Sequence, residues 1–315
     1  MTRAIALRRP SWRLVLLAIL VPAGVFVLWR FPWVQAGEAV QSADGVLLVL
    51  ALAANLTAIF AKGWAWHLLL VPVAPHRFRS AQEANLVGAA VNNLSVSVVG
   101  EVERVRYLAH LERVPAGKVA VSVVWARAVE GAALALVLVA GSAALDAHWS
   151  VRLAQMLAAG GIIALLGAAW IGRTRPLPGH WPRQVRDLAT SFGEIGSPRR
   201  LVAPLALDLV NWAGEWATLH LTLLAVHAHV SWGTSLTALL AINVAGGARL
   251  LPANVGILQV ALAAVLLPAR VGSHHVLAAG FLFQFIQVMP VLLLALVVVA
   301  CRPEAWRRAR ERSIE

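Results

Sequence analysis

Ala84-Asn85-Leu86-Val87-Gly88-Ala89-Ala90-Val91-Asn92-Asn93-Leu94-Ser95-Val96-Ser97-Val98-Val99 carries no charge, and it runs directly into Gly100-Glu101-Val102-Glu103-Arg104. The first part is too uncharged for a water-facing surface, yet Asn85, Asn92, Asn93, Ser95 and Ser97 interrupt it. In an apolar chain such a segment enters the bilayer without crossing it as a plain helix. Polar, broken backbone persists at membrane depth only where protein or a water-filled cavity satisfies it. The stretch is therefore a functional-site candidate.

The rest of the chain is apolar enough to justify that reading. Of 315 residues 60% are hydrophobic and 13% charged, and the mean hydropathy is +0.74. A soluble core stops growing well before it needs so much apolar area, so the composition predicts an all-α polytopic membrane bundle. The net charge of +12 does not point to nucleic acid. Its arginines cluster at the N-terminus (Arg3, Arg8, Arg9, Arg13), in 172–200 and in the tail (Arg302, Arg307, Arg308, Arg310, Arg312). That is the positive-inside pattern, with anionic headgroups as its partner. Cys301 is the single cysteine, which leaves no disulfide framework or thiolate metal site. The histidines lack metal-ligand spacing, and there is no phosphate-binding Gly loop or nucleophile elbow. No cofactor is expected.

A crossing takes ~20 apolar residues. Candidate spans are 13–30, 45–70, 118–141, 152–171, 201–226 and 275–300, and the segments 84–117 and 234–267 are harder to place. Flanked by Arg30 and Trp33, the first run reads as a retained span rather than a cleaved signal. If all basic segments lie in the cytoplasm, 45–70 returns the chain there at His76-Arg77-Phe78-Arg79, and 118–141 with 152–171 returns it again at Arg173. The segment 84–117 then begins and ends on the cytoplasmic side, as a re-entrant excursion. The same parity makes 234–267 start and finish outside. Its arms, 234–250 and 252–267, are shorter than the ~30 Å core requires. They favour a second hairpin with its tip at Arg249 to Gly256 over two crossings. Two broken elements entering from opposite faces suit an inverted repeat, and the total is about 6–8 crossings.

Charged and amide side chains inside these segments need an explanation. Glu101 and Arg104 lie three apart at the start of an amphipathic stretch, 102–114, whose other charges (Glu103, Arg106, Glu112, Arg113) read as water-facing. Arg127 and Glu130 lie three apart within 118–141. Each charge in a span costs at least ~2.5–3.5 kcal/mol on insertion scales, which pairing offsets in part. Asp208, Asn211 and Glu215 fall on one helical face of 201–226, with Thr218 and His220 roughly in line. This face fits a cation site, a proton relay or acid–base chemistry. Arg199 and Arg200 are expected to relieve part of the burden on Asp208. Arg249, Asn254 and Gln259 complete a polar set in the second half, with Gln284 and Gln287 read as helix–helix hydrogen bonders.

Three of these places resemble the transmembrane-region family of the lysylphosphatidylglycerol synthases, a flippase-like domain. Leu94 to Arg104 is similar to the family's apolar stretch ending in Gly-Glu-x-x-Arg, here Gly100-Glu101-Val102-Glu103-Arg104. Val123 to Glu130 resembles its Glu-Arg-x-x-Asp helix, with Ala126 before Arg127 and Glu130 in place of Asp. Leu251-Pro252-Ala253-Asn254-Val255-Gly256-Ile257-Leu258-Gln259 resembles its Pro-Gly-x-x-Gly-x-x-Glu segment, with Gln259 where Glu is common. Val96 stands near the family's usual proline.

The resemblance implies a flippase-like protein of the bacterial inner membrane that binds and translocates a lipid or lipid-linked headgroup, and the basic segments are expected to set both termini in the cytoplasm. Arg104, Arg127 and Arg249 would neutralise phosphate, while Glu101, Glu130 and Glu215 pair with them or with a cationic headgroup. Asp208, Asn211, Asn254 and Gln259 belong to the same candidate set. The expected partners are membrane lipids, an anionic phospholipid or a polyprenyl-linked one. A second copy of the chain and an envelope-biosynthesis partner stay open. The chain ends soon after its last span, so a soluble aminoacyl-transfer domain and lysyl-lipid synthesis are not expected. The alternatives are a membrane transferase acting on a lipid-linked substrate and a non-transporting organiser of an envelope-lipid complex.

Overall fold

The computed structural model describes residues 33–95, 99–142, 182–246 and 252–302, with single positions between 160 and 174. The expected span 13–30, most of 152–171, Val96, Arg249 and the tail arginines beyond Arg302 lie outside the described residues. Among the described residues the secondary structure is entirely helical, as the composition predicts. The helices are α1 (Trp33–Gln41), α2 (Gly45–Leu70), α3 (Phe78–Leu94), α4 (Val99–Glu112), α5 (Ala116–Ser142), α6 (Arg183–Ile195), α7 (Pro198–Ala225), α8 (Trp232–Gly246), α9 (Ile257–Leu266) and α10 (Ser273–Cys301). A single 3-10 turn, Pro252–Asn254, precedes α9.

Their order repeats. A long helix, two short ones and a long one (α2 to α5, of 26, 17, 14 and 27 residues) recur as α7 to α10, of 28, 15, 10 and 29 residues. Each set encloses its own core. The first packs Trp66, Leu70, Ala84, Val87, Tyr107, Leu108 and Val119 together. The second packs Leu219, Leu223, Leu239, Leu262, Val276 and Phe283. The two leading helices, α2 and α7, join the halves. Asp44 N donates to Ala225 O at 2.9 Å, Thr218 Oγ1 donates to Ala51 O at 3.3 Å, and Gly214 lies opposite Ala54 and Ala58. The numbers fall on one side as they rise on the other, so the helices are antiparallel, as an inverted repeat requires. Small residues make that approach possible: a Cβ added at Gly214 would stand 2.9 Å from Ala54 O. This is the small-residue interface of membrane helices.

The outward faces are apolar. Val46, Val49 and Phe60 on α2, and Phe285, Leu296 and Val297 on α10, are exposed. The helices Gly45–Leu70, Ala116–Val137 and Ser273–Cys301 are long and apolar enough to cross a membrane, and only 22–33% of their most apolar windows is buried inside the protein. An apolar surface of this extent needs lipid against it. Helix α7 has the length but carries Asp208, Asn211 and Glu215. In α10, Pro290 has no N–H to donate to Ile286 O, and Asn55 of α2 supplies the missing donor at 2.7 Å.

Both broken elements are helical hairpins. Helices α3 and α4 lie antiparallel, with Asn92 opposite Gly100, Asn85 opposite Arg104, and Arg77 N donating to Glu112 at 3.3 Å where the arms splay. The first arm starts at Phe78, earlier than the uncharged run suggests, because Glu83 is buried in an ion pair rather than left in water. The second hairpin is α8 and α9, with the turn Pro252–Asn254 packed against α3. Two connections that read as linkers also contain helices. Helix α1 lies within 31–44 and buries Ala36 and Ala39. Helix α6 lies within the basic 172–200 segment and sets Leu188, Phe192 and Ile195 on one stripe against α5. There Leu188 covers Gly117, and Trp125 Nε1 donates to Phe192 O at 3.1 Å. The surrounding arginines hide so short a stripe in the sequence.

Candidate functional site

The two glycines of the first hairpin bring its arms into backbone contact. A Cβ on Gly100 would stand 2.1 Å from Gly88 O and 2.4 Å from Asn92 Cγ, so no larger residue fits. Asn92, an anomaly in an apolar run, caps the second arm: its Oδ1 accepts Gly100 N at 2.8 Å and its Nδ2 donates to Glu101 Oε1 at 3.4 Å. This close approach fixes Glu101 and Arg104 in the first two turns of α4, with Glu101 facing α5 and Arg104 facing α2 and α3.

From there an ion-paired seam crosses three helices, α4, α5 and α2. Arg104 Nη2 lies 3.1 Å from Glu101 Oε2, and its Nη1 donates to Asn85 Oδ1 at 3.2 Å. The guanidinium also stands 4.3 Å from the ring centroid of Trp66 in α2, a cation–π contact. Arg127 of α5 bridges two carboxylates: Nη2 donates to Glu101 Oε1, and Nη1 donates to Glu130 Oε2 at 2.6 Å. Lys62 of α2 closes the chain on Glu130 Oε1. The order Arg104–Glu101–Arg127–Glu130–Lys62 alternates in sign throughout. Alternation is what makes charges tolerable away from water, since each ion keeps a partner and its hydrogen bonds. Trp212 of α7 donates to Glu130 O at 3.1 Å and shuts one side.

The seam is not equally closed along its length. The side chain of Arg104 is 6% exposed, whereas those of Arg127 and Lys62 are 38% and 30% exposed. Two cations therefore present open faces on either side of Glu130.

The structure brings together the first four residues singled out in the sequence: Glu101, Arg104, Arg127 and Glu130. Asp208, on the neighbouring face of α7, is buried within electrostatic reach of Glu130, Lys62, Arg127 and Arg104, and pairs with no described residue. The expected help from Arg199 and Arg200 is absent. Both are exposed at the start of α7, and Arg200 donates instead to Glu194 O at 2.9 Å. Asn211 is buried and Glu215 half-buried on the same face, and Glu215 lies within electrostatic reach of Lys62 and Glu130 and beside Asn211, without an ion pair to either seam residue. Thr218 and His220 turn to different neighbours, Ala51 O and Ser235 Oγ.

Asn254 and Gln259 form a separate, uncharged lock. Gln259 Nε2 donates to Gln284 Oε1 at 2.8 Å, Gln284 Nε2 donates to Ala253 O at 2.7 Å, and Gly256 N donates to Gln259 Oε1 at 2.8 Å. Asn254 Nδ2 donates to Gly246 O at 3.2 Å. Gln284 thus bonds between helices as expected, whereas Gln287 bonds to no described residue.

Lys62 is the seam residue that the sequence reading missed. Its signal was present: it is the one acidic or basic residue, histidine aside, in the 26-residue apolar run Gly45–Leu70, and an isolated charge in a span calls for a partner.

The fold and this site define a helical membrane protein with an ion-paired polar seam enclosed between its helices. The chain belongs to the lysylphosphatidylglycerol synthase TM region family, whose model matches residues 12–295. Membership relates it to membrane proteins of lipid modification or transport. No curated protein matches it.

Proposed function

We propose that the protein binds a phosphate-bearing lipid headgroup at the seam and carries it across the bacterial inner membrane. The observation that carries this reading is the pair of open cations, Arg127 and Lys62, held at either side of one carboxylate in an otherwise apolar bundle. Buried ion pairs are weak sources of stability compared with apolar packing of the same volume. A seam of five charges is therefore better explained by a ligand than by the fold. A headgroup phosphate meets Arg127 and Lys62, Glu130 and Glu101 hold those cations in register, and an amine on the same headgroup finds the carboxylates. The two hairpins act as re-entrant elements whose polar tips line a route through the apolar bundle. With the basic segments in the cytoplasm, both termini lie there.

The test is reconstitution of the full chain into liposomes carrying fluorescent phosphatidylglycerol. Movement of the lipid between leaflets without chemical change supports the reading. A covalently modified lipid indicates a transferase, and neither outcome together with unaltered binding indicates an organiser of other proteins.

A further inference from the structure

A second charged cluster lies at the open end of the first hairpin, away from the seam. Glu83 of α3 is 5% exposed and holds two arginines from different helices. Arg79 Nε donates to its Oε1 at 2.8 Å, and Arg302 Nε, just past the end of α10, lies 3.3 Å from its Oε2. Each guanidinium spends one nitrogen on Glu83, and neither bonds another described side chain. Two cations on one carboxylate leave a positive charge and four terminal nitrogens that no described side chain takes up. Tyr107 of α4 is 2% exposed and lies within electrostatic reach of Glu83, Arg302 and Arg79, and its hydroxyl has no partner among the described residues. The first turn of α3 has no side-chain cap, so its dipole adds positive potential. Phe60 and Trp64 in the C-terminal half of α2 meet Phe78 at the start of α3 edge to face, and both α2 rings are exposed. Such an aromatic cluster marks headgroup level in a membrane helix bundle.

We propose that Arg79, Arg302 and Tyr107 form a second anion site, which takes the phosphate group of a phospholipid at the membrane surface. Glu83 is its positioning residue, clasping both guanidiniums by Nε so that their terminal nitrogens converge on one oxyanion while the tyrosine hydroxyl donates from below. The site tethers the end of α10 to the first hairpin through the lipid. It does not depend on the transport reading: it binds phosphate whether or not lipid moves.

Tyr107 is the chain's single tyrosine, so the full chain labelled at tyrosine Cζ with carbon-13 gives one tyrosine signal in detergent micelles. Dihexanoyl phosphatidylglycerol is expected to shift that signal saturably. Arg79→Gln, a change at a largely exposed side chain, weakens the binding on the order of tenfold, the loss of one charge-assisted contact. Arg199→Gln, remote from the cluster, leaves it unchanged. A saturable shift of equal affinity from inorganic phosphate alone supports the anion site and assigns it to a soluble phosphate. No saturable shift from either probe, or a shift that survives Arg79→Gln and Arg302→Gln together, overturns the proposal.

Discussion

The two hairpins solve the same problem with different chemistry. In each, a helix breaks and returns, and polar groups cover the break. At the first, α3 and α4, the cover is ionic: Glu101 and Arg104 reach across to Arg127, Glu130 and Lys62. At the second, α8 and α9, it is an amide lock of Gln259, Gln284 and Asn254 on backbone groups. Amides hold the described ends of both breaks, Asn92 at Gly100 N in the first and Asn254, Gln259 and Gln284 at Gly246, Gly256 and Ala253 in the second. The charges of the first exceed what the break requires, and that excess is the strongest reason to place the ligand there.

The sharpest way to break this contrast is to remove one carboxylate from the ionic side. Glu101→Gln leaves Arg127 and Arg104 sharing an amide, and is expected to cost about 3–5 kcal/mol, as for a broken buried pair. Denaturant unfolding in detergent reads this, and a cost below 1 kcal/mol would mean that the seam is hydrated and not a closed network. Gly100→Ala comes next. The added methyl meets Gly88 O, so the arms must separate at a cost of about 1–3 kcal/mol, with proteolysis between the arms as the readout.

On the neutral side the effects shrink. Gln259→Leu strands the Gln284 carbonyl and Gly256 N–H and costs about 1–2 kcal/mol. The double change Gln259→Leu with Gln284→Leu costs less than the sum of the singles, because the two side-chain amides are removed together and only Gly256 N–H and Ala253 O stay unpaired. The smallest effect changes sign. Ala253 sits at φ +50°, a left-handed conformation that strains an L side chain, so Ala253→Gly stabilises by about 0.5–1 kcal/mol. Melting temperatures of the variants rank these effects directly.

Much of the fold was legible because long apolar helices advertise themselves. The run 45–70 emerges as Gly45–Leu70, and 118–141, 201–226 and 275–300 emerge within three residues of their helix ends. The Gly-Glu-x-x-Arg segment was legible for another reason: its polar residues are anomalous in apolar company. What stayed hidden depends on partners distant in the chain. Lys62 looks like a lone charge until Glu130, 68 residues on, is seen beside it. Asp208 is close in sequence to Arg199 and Arg200, yet both arginines are exposed while Asp208 is buried within electrostatic reach of Glu130 and Lys62. Glu83 stands just before the uncharged run and more than 200 residues from Arg302, and only the fold brings the two together.

The claim at the centre of this account is that a headgroup binds on the open cations of the seam and not at the neutral hairpin. Transbilayer movement of fluorescent phosphatidylglycerol in proteoliposomes, measured for Arg127→Gln, Arg127→Lys and Gln259→Leu at matched folded protein, tests it most directly. The expected result is a loss of at least about tenfold for Arg127→Gln, one lost charge-assisted contact. Arg127→Lys should recover part of the rate, and Gln259→Leu should stay within about twofold of the parent. Wild-type movement by folded Arg127→Gln, or loss in Gln259→Leu alone, would contradict the account.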